Sequence, residues 1–577
     1  MISPFKTLKK NSVKDSSSLP LLKIALLGDS ATQLLATAIK GAAFERGYGI
    51  DLFEADYNQV ERQILDKTSE LYEFEADYII VFQSTHKLLS SYNKLNEEEQ
   101  VTLADRRIDF VRAICNNVGS RIIYLNYPEV DDSVFGSYAN KTQNSFSYQV
   151  RKLNYELMNL AHEESNLFMC DIASLQNKYG RDMMFNPSVY VTTEMVLSID
   201  ILPHVAYRIM DIIMAVQGKF KKCLILDLDN TTWGGIIGDD GLENIQIGHE
   251  LGIGKAFTEL QEWALKLKKR GIILAVCSKN NEKIAREPFE KHPGMVLRMD
   301  DIAVFIANWE NKADNIRRIQ SVLNIGFDSM VFLDDNPFER NIVRENLPDV
   351  TVPELPEDPA EYLEYLYSLN LFETATYAKS DADRTRQYQI ESKRAAEQTS
   401  FTNEADFLKS LDMLSDVKPF GQFNTPRVSQ LSQRSNQFNL RTVRYTESDI
   451  RQLSESDRYH NFSFTLTDKF GDNGLICVII LEKKDKETLF IDTWFMSCRV
   501  LKRGMENFSL NTIVEYARKH GYKKIIGEYI PTEKNIMVKD HYTELGFIVV
   551  ESEGRHLFEL DIDGYKNRET YIKQLTE

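Results

Sequence analysis

Two apolar runs in this chain of 577 residues end in paired acidic residues. CLIL runs into Asp227-Leu228-Asp229, and MVFL runs into Asp334-Asp335. In an extended chain residues i and i+2 share a face, so Asp227 and Asp229 point to the same side. Carboxylates converging on one point repel and are costly to ionise together. A hard cation such as Mg2+ relieves that repulsion and takes oxygen ligands. An Asp can also act as a nucleophile and form an aspartyl-phosphate. A second Asp can protonate the leaving group and then activate water. Between the acidic pairs lie CSKN, with Ser278, and NWENK, with Lys312. A hydroxyl and an ammonium hold phosphoryl oxygens as charge redistributes. A single Asp at a strand end is better read as a helix cap. The ordered set of DxD, Ser, Lys and DD is better read as phosphoryl chemistry.

Such residues meet only if several strands end at one edge. Short apolar runs at 23–28, 77–82, 121–127 and 167–171 alternate with amphipathic stretches such as 32–46 and 97–116. That spacing predicts βαβ units and a parallel sheet, where ligands meet the carboxyl ends of strands. A helix over 203–216 and a basic link at 218–222 close this part. A second run begins at Cys223 with strands CLILDLD, GIILAVCS and SMVFLDD, and ends in the Pro- and acid-rich stretch 353–359. Residues 360–400 read as helical and charged. The last part has longer strands (488–495), hairpin turns at 470–474 and 483–487, and one helix at 504–520, which reads as α+β. The expected fold class is α/β: two successive Rossmann-like parallel-sheet domains followed by an α+β domain. The expected boundaries are a flexible arm at 1–20, domains at 21–217 and 218–359, a helical connector at 360–409 and the last domain at 410–577.

Acidic residues number 86 against 69 basic, a formal charge of −17. A surface that negative repels phosphate backbones and anionic lipid, so neither nucleic acid nor membrane is an expected partner. The six cysteines form no CxxC pair or zinc spacing, which fits a reducing cytoplasm. The N-terminus has no apolar signal core, and no apolar run reaches the ~20 residues of a membrane span.

DLDNTTWGGIIGDDG, SKNN, NWENK, FLDDNPFER and DRTRQY together resemble the FkbH-like proteins, subfamily IIIC of the haloacid-dehalogenase-like superfamily. Thr232 and Asp239 stand where many of those proteins have Leu and Glu. The resemblance implies that Asp227 is the nucleophile and Asp229 the general acid and base. It implies that Ser278 and Lys312 bind the phosphoryl group, with Thr231, Lys279 and Asn280 as further substrate contacts. It assigns Mg2+ to Asp227, the backbone carbonyl of Asp229, and Asp334, with Asp335 beside them. The glycine-rich stretch 234–241 is either a flap beside the site or a plain turn. No large cap insertion follows Asp227, which implies an open site.

RSNQFNLRT, DKFGDNG, SCRVLKRGME, IPTEKN and YTELGF extend the resemblance, and the last domain is similar to the acetyltransferase-like (GNAT-like) fold. That fold binds a CoA pyrophosphate at a helix N-terminus. LKRGME departs from its glycine pattern, which argues against simple acetyl-CoA binding and leaves part of the groove for a phosphopantetheine arm. Cys498, beside Arg499, Lys502 and Arg503, is either a thiolate favoured by cations or a packed strand residue. The resemblance implies that it carries an acyl thioester. Those three cations are the candidate docking patch for an acidic carrier protein. Tyr542 is a substrate contact or a core tyrosine.

ALLGDSATQLL resembles the first block of SGNH hydrolases, with Ser30 as nucleophile, His204 as base and Asp200 four residues before it. A helix N-cap at Ser30, with a docking role for this domain, is the alternative. For the whole chain the resemblance implies Mg2+-dependent removal of phosphate from a phosphoglyceryl donor such as 1,3-bisphosphoglycerate. The glyceryl group is then loaded onto a holo-acyl carrier protein. A small-molecule phosphatase with recognition domains and a non-catalytic scaffold are the alternatives.

Overall fold

The computed structural model describes residues 2–377, 384–398, 401–421, 424–435, 437–497, 500–532, 534–550 and 554–575. The chain divides into two compact units, Met1–Met214 and Ala215–Glu577.

In the first unit, β1 (Leu21–Gly28), β2 (Gly49–Glu54), β3 (Tyr78–Phe82), β4 (Arg121–Leu125) and β5 (Leu167–Cys170) form one sheet. The order is β2-β1-β3-β4-β5, and every pair is parallel. Strands β3 and β4 are buried almost throughout, which explains their unbroken apolar sequences. Strand β2 was not predicted. It lies at the sheet edge, half-exposed, so its sequence GIDLFE carries little apolar signal. The helix expected over 97–116 is two, Glu97–Gln100 and Leu103–Asn117, the first closed by a capping box at Asn96. The arm expected to be flexible contains the helix Phe5–Asn11. Leu8 is fully buried, and a Cβ on Gly41 would meet its carbonyl oxygen at 2.2 Å. One apolar residue seated over a glycine orders a segment whose composition is polar.

Ser30 is not a helix cap: the helix Gln33–Glu45 has Thr32 as its N-cap residue, and the buried Ser30 hydroxyl has no hydrogen-bond partner. It is therefore not bonded to His204, whose ring lies 4.3 Å from that of Tyr179. The Ser30–His204 pairing that the SGNH-like block would need is not assembled.

In the second unit, β6 (Cys223–Leu226), β7 (Ile273–Ser278), β8 (Val304–Ala307) and β9 (Met330–Leu333) form a parallel sheet in the order β8-β7-β6-β9. Strand alternation feeds two cores. Leu224, Leu226, Leu274 and Val276 join Phe257, Leu260 and Phe289, while Cys223, Ile225, Ile273 and Ala275 join Ala313, Ile316 and Val343. Parallel order brings the carboxyl ends of all four strands to one edge.

The connector does more than link. Tyr362, Leu366 and Phe372 complete the first of these cores, so the domain runs past the expected boundary at 359. The helix Arg384–Gln398 places Tyr388 in the second core and gives Glu391 and Arg394 to the last domain.

The last domain is a nine-stranded sheet of β10 (Leu414–Ser415), β11 (Val417–Lys418), β12 (Tyr459–Asp468), β13 (Gly471–Lys483), β14 (Thr488–Met496), β15 (Lys524–Tyr529), β16 (Ile548–Val550), β17 (His556–Asp561) and β18 (Lys573–Gln574). Its path is β16-β17-β15-β14-β13-β12-β10-β18, with β11 on β12. The pairs are antiparallel except β14/β15 and β10/β18. Asp468 pairs with Gly471, so the first hairpin turns at Lys469–Phe470 rather than over 470–474. The helix Met505–Lys519 joins the parallel pair β14 and β15. These two strands pair only as far as Ile491 and Gly527. Beyond that point residues 438–440 fill the gap. Phe438 O accepts from Met496 N, Leu440 N donates to Trp494 O, and Leu440 O accepts from Ile530 N, at 2.9–3.2 Å. Among the described residues no helix is long and apolar enough to cross a membrane.

Candidate metal and phosphoryl-transfer centre

Asp227 directly follows β6, and its N–H donates to Leu333 O, which carries the β6–β9 pairing one residue further. Asp334 directly follows β9. The two carboxylates therefore come from adjacent parallel strands, and Asp335 joins them. One oxygen from each of Asp227, Asp334 and Asp335 lies within 4.8 Å of the other two. Asp227 is 6 % exposed and Asp334 fully buried.

Lys312 opens the helix Lys312–Leu323, which follows β8. Its ammonium lies 2.9 Å from Asp227 Oδ2 and 2.5 Å from Asp334 Oδ2. Paired amide hydrogen bonds between Asn308 and Asn315 brace the loop that delivers it. One cation faces three carboxylates. Burial first, and then the Asp227 charge, push Asp334 up to about 7, with Lys312 opposing. The same two causes raise Asp335. Burial alone would lower Lys312, but Asp227 and Asp334 outweigh it and hold the ammonium charged.

Asp229 occupies a different position. Its Oδ1 accepts from the Trp233 indole N–H and from Ile237 N, both at 3.0 Å, and its Oδ2 accepts from Asn280 Nδ2 at 2.9 Å. Burial raises its pKa, while the Ile237 amide and Trp233 pull it down. A carboxyl held above its ordinary range suits proton donation and return. Its side chain is not part of the three-carboxylate cluster. Over residues 234–241, Gly234 pairs with Gln246 in both directions, and Ile237–Asp240 is one helical turn. Gly235 has φ +91°, and a Cβ there would lie 2.6 Å from Asp240 Oδ2, so the turn requires glycine.

Three residues expected as substrate contacts meet protein groups in the structure. Thr231 is fully buried; its hydroxyl donates to Asp335 Oδ1 and accepts from Asp335 N, at 3.1 and 3.0 Å. Asn280 braces Asp229. Lys279 Nζ pairs with Glu339 Oε1 at 2.6 Å. Ser278 ends β7 at the same sheet edge as Asp227 and is buried. The sequence reading missed Arg340. Its buried guanidinium donates to the carbonyl oxygens of Asp334 and Asp335, at 2.9 and 2.6 Å, and fixes the acidic loop from behind. Its only signal was the position of Arg in NPFER, one helical turn past the acidic pair.

In the last domain Cys498 and Arg499 lie outside the described residues. Arg503 is not a docking residue. It is 6 % exposed, donates to both Glu391 oxygens at 2.5 and 2.7 Å, and reaches Asp468 Oδ2 at 3.3 Å. An arginine so enclosed is held by buried carboxylates and is not offered to a partner. Tyr542 is fully buried against Gly527 and among Phe547 and Phe558. That favours the core-tyrosine reading.

A family profile described as "FkbH, N-terminal domain" matches residues 23–214. The crystal structure of the N-terminal part of the protein BF1531 from Bacteroides fragilis, containing a phosphatase domain complexed with Mg, is 66% identical with a TM-score of 0.64. The match covers 65% of this chain and 100% of that one. This chain belongs to the same family. Its first domain is an FkbH N-terminal domain. Weaker likenesses are to the ribosomal-protein-S18-alanine N-acetyltransferase of Escherichia coli (16% identity, TM-score 0.20, 26% of this chain and 94% of that one) and to an N-acetyltransferase of Staphylococcus aureus Mu50 (17%, 0.21, 26% and 99%). No curated protein matches the chain.

The donor set of this centre fits a hard dication: three carboxylates with no nitrogen or sulfur among them. The raised Asp334 yields a stability prediction. Folding holds its proton more tightly than the unfolded chain does. The destabilisation is therefore absent below the unfolded carboxyl pKa of roughly 3.9, grows up to about 7 and is complete above it. Metal-free Asp334→Asn should melt higher than the unsubstituted chain at pH 8, with the gap closing as pH falls towards 4. Mg2+ should raise the melting temperature of the unsubstituted chain and not that of the variant. Thermal melts at four pH values, with and without Mg2+, check both.

Proposed function

We propose that the chain is a Mg2+-dependent phosphohydrolase of the haloacid-dehalogenase type that works through an aspartyl-phosphate, and that it loads a glyceryl group onto an acyl carrier protein. The observation that carries the first part is Lys312 seated between Asp227 and Asp334, with Asp335 completing a cluster that fits a dication.

Asp227 Oδ1 attacks phosphorus, the bond from phosphorus to the leaving oxygen breaks, and Asp229 gives its proton to that oxygen. Asp229 then takes a proton from water, which attacks the aspartyl-phosphate; inorganic phosphate leaves and Asp227 is restored. Lys312 and Ser278 hold phosphoryl oxygens. Mg2+ held by Asp227, Asp334 and Asp335 would neutralise the charge that builds on those oxygens.

A donor such as 1,3-bisphosphoglycerate carries two phosphoryl groups, and two steps remove them. Its phosphate ester is hydrolysed at Asp227. Its acyl phosphate reacts with the Cys498 thiolate: the carbon–sulfur bond forms, phosphate leaves, and the glyceryl thioester passes to the carrier thiol. The first domain serves recognition in this scheme.

The test is intact mass spectrometry of the full chain with Mg2+, a phosphoglyceryl donor and a holo-carrier. A glyceryl increment on the carrier is expected, lost in Cys498→Ala. Phosphate release without any gain on the carrier would reduce the function to that of a small-molecule phosphatase. A glyceryl increment that persists in Cys498→Ala would remove the thioester role.

A further inference from the structure

Residues 223–355 expose five large apolar side chains, Ile236, Leu251, Ile284, Trp309 and Phe338. All five lie at the edge of the parallel sheet that carries the carboxylates. Ile236 follows β6 and precedes the turn Ile237–Asp240, whose first N–H donates to Asp229. Ile284 is in the first turn of the helix Glu282–Lys291, after β7. Trp309, 76 % exposed, lies between β8 and Lys312. Phe338, 67 % exposed, is three residues past Asp335, in the first turn of the helix Pro337–Asn346. Leu251 enters the helix Ile253–Lys269, which leads back to the start of β7 and so begins at the same edge. Single exposed apolar residues scattered over a surface are ordinary. Five gathered around the opening of one site, with none at the opposite edge or farther along the helices, are a patch.

The width of this collar and the charge beside it narrow what it can hold. In the order β8-β7-β6-β9, Trp309 follows one outermost strand and Phe338 the other. Strands about 4.8 Å apart put the ends of those two roughly 14 Å from each other. A small ester seated on Asp227, at the end of β6, does not span that distance; a polypeptide does. Residues 234–254 contain Asp239, Asp240, Glu243 and Glu250, all exposed, and no lysine or arginine. Exposed acids beside a phosphoryl centre repel a free polyanion on its way in and attract a partner that brings its own cations. A second copy of the chain would bring the same acids and a further formal charge of −17, so it is disfavoured as the occupant.

Resting on the phosphohydrolase reading, we propose that the collar is a docking surface for a polypeptide that carries the phosphate ester. Apolar residues of that polypeptide pack on Trp309 and Phe338, and its lysines or arginines face the acids of 239–250.

The test uses the full chain with Mg2+ and the Asp227→Asn substitution, which prevents turnover, and three phosphoserine peptides of equal length. The first has leucines and lysines around the phosphoserine. The second has glycines in place of the leucines, and the third has glutamates in place of the lysines. Calorimetry gives each Kd, and the first peptide should bind about tenfold tighter than either of the others. Adding Trp309→Ser and Phe338→Ser should bring the leucine-to-glycine ratio close to one and leave the lysine-to-glutamate ratio in place. Adding Asp239→Asn and Glu243→Gln instead should lower the lysine-to-glutamate ratio to about threefold, because Asp240 and Glu250 remain, and leave the leucine-to-glycine ratio. Equal binding of the three peptides to the chain with its collar intact overturns the proposal. So do ratios that neither pair of substitutions moves. A dimer in sedimentation that dissociates on Trp309→Ser with Phe338→Ser would assign the collar to a second copy and also overturns it. With Asp227 present, phosphate release from acetyl phosphate, which is too small to span the collar, should be unchanged by Trp309→Ser with Phe338→Ser. A parallel loss would reduce the two residues to braces of the centre and overturns the docking role. Dependence of that release on Asp227 tests the phosphohydrolase reading separately. Its failure alongside collar-dependent ratios would remove the reaction and keep the docking surface.

Discussion

Asp227→Asn should release phosphate from p-nitrophenyl phosphate roughly 10³-fold more slowly than the unsubstituted chain, or slower still, at saturating Mg2+. The carboxamide keeps the size of the side chain and leaves Lys312 paired to Asp334. What it removes is the oxygen that forms the bond to phosphorus in the proposed mechanism. Asp227 is also one of the three carboxylates of the cluster, so Mg2+ affinity should fall as well. Saturating Mg2+ separates the two effects: weaker binding is overcome, and loss of the nucleophile is not. Hydroxylamine trapping should detect an aspartyl-phosphate in the unsubstituted chain and none in the variant. Release at an unchanged rate by the purified variant would remove Asp227 from the nucleophile role.

Lys312→Met should have the second largest effect, and on two readouts. Its ammonium is the one cation in contact with both Asp227 and Asp334 among the described residues. Methionine fills a similar volume without charge, so the cluster is left with three carboxylates and no counter-charge. Removing one partner from a buried ion pair destabilises by about 3–5 kcal/mol. The metal-free variant should therefore melt well below the unsubstituted chain at pH 8. The deficit should shrink on acidification through about 7, where Asp334 takes up a proton, because a neutral carboxyl no longer needs the ammonium. Mg2+ should restore much of the lost stability by supplying the missing positive charge. Activity should stay down by roughly 10²- to 10³-fold even with Mg2+, because in the proposed mechanism the ammonium also holds a phosphoryl oxygen in the transition state. A metal-free variant as stable as the unsubstituted chain at pH 8 would show that Lys312 does not neutralise the cluster. Lys312→Met and Asp334→Asn act in opposite directions on metal-free stability. The pair therefore tests the charge balance and not packing alone.

Local sequence pattern carried far in the parallel sheets. Apolar runs ending in DLD and LDD located β6 and β9 and the carboxylates at their ends. The pattern failed where burial does not follow composition. The half-exposed edge strand Gly49–Glu54 has little apolar signal, and the helix Phe5–Asn11 is ordered by a single leucine over a glycine. In the last domain, the basic run 499–503 looked like a surface patch. Arg503 instead turns inward because the connector helix brings Glu391 to meet it. A charge run in sequence does not say which of its members will find a buried partner.

By itself the sequence determined the kind of chemistry. Residue types and their order after apolar strands specify carboxylates, a hydroxyl and an ammonium at the end of a parallel sheet, and periodicity along the chain is enough for that. Only the tertiary structure decided which atom serves which. Strand order places β9 beside β6, which lets Thr231 hold Asp335 across about a hundred residues of chain. It turns Asn280 towards Asp229, places Arg340 behind the acidic loop, and closes the fork between β14 and β15 with residues 438–440. These contacts join residues far apart in sequence. Their partners are chosen by the packing of strands and helices, so no local spacing could announce them.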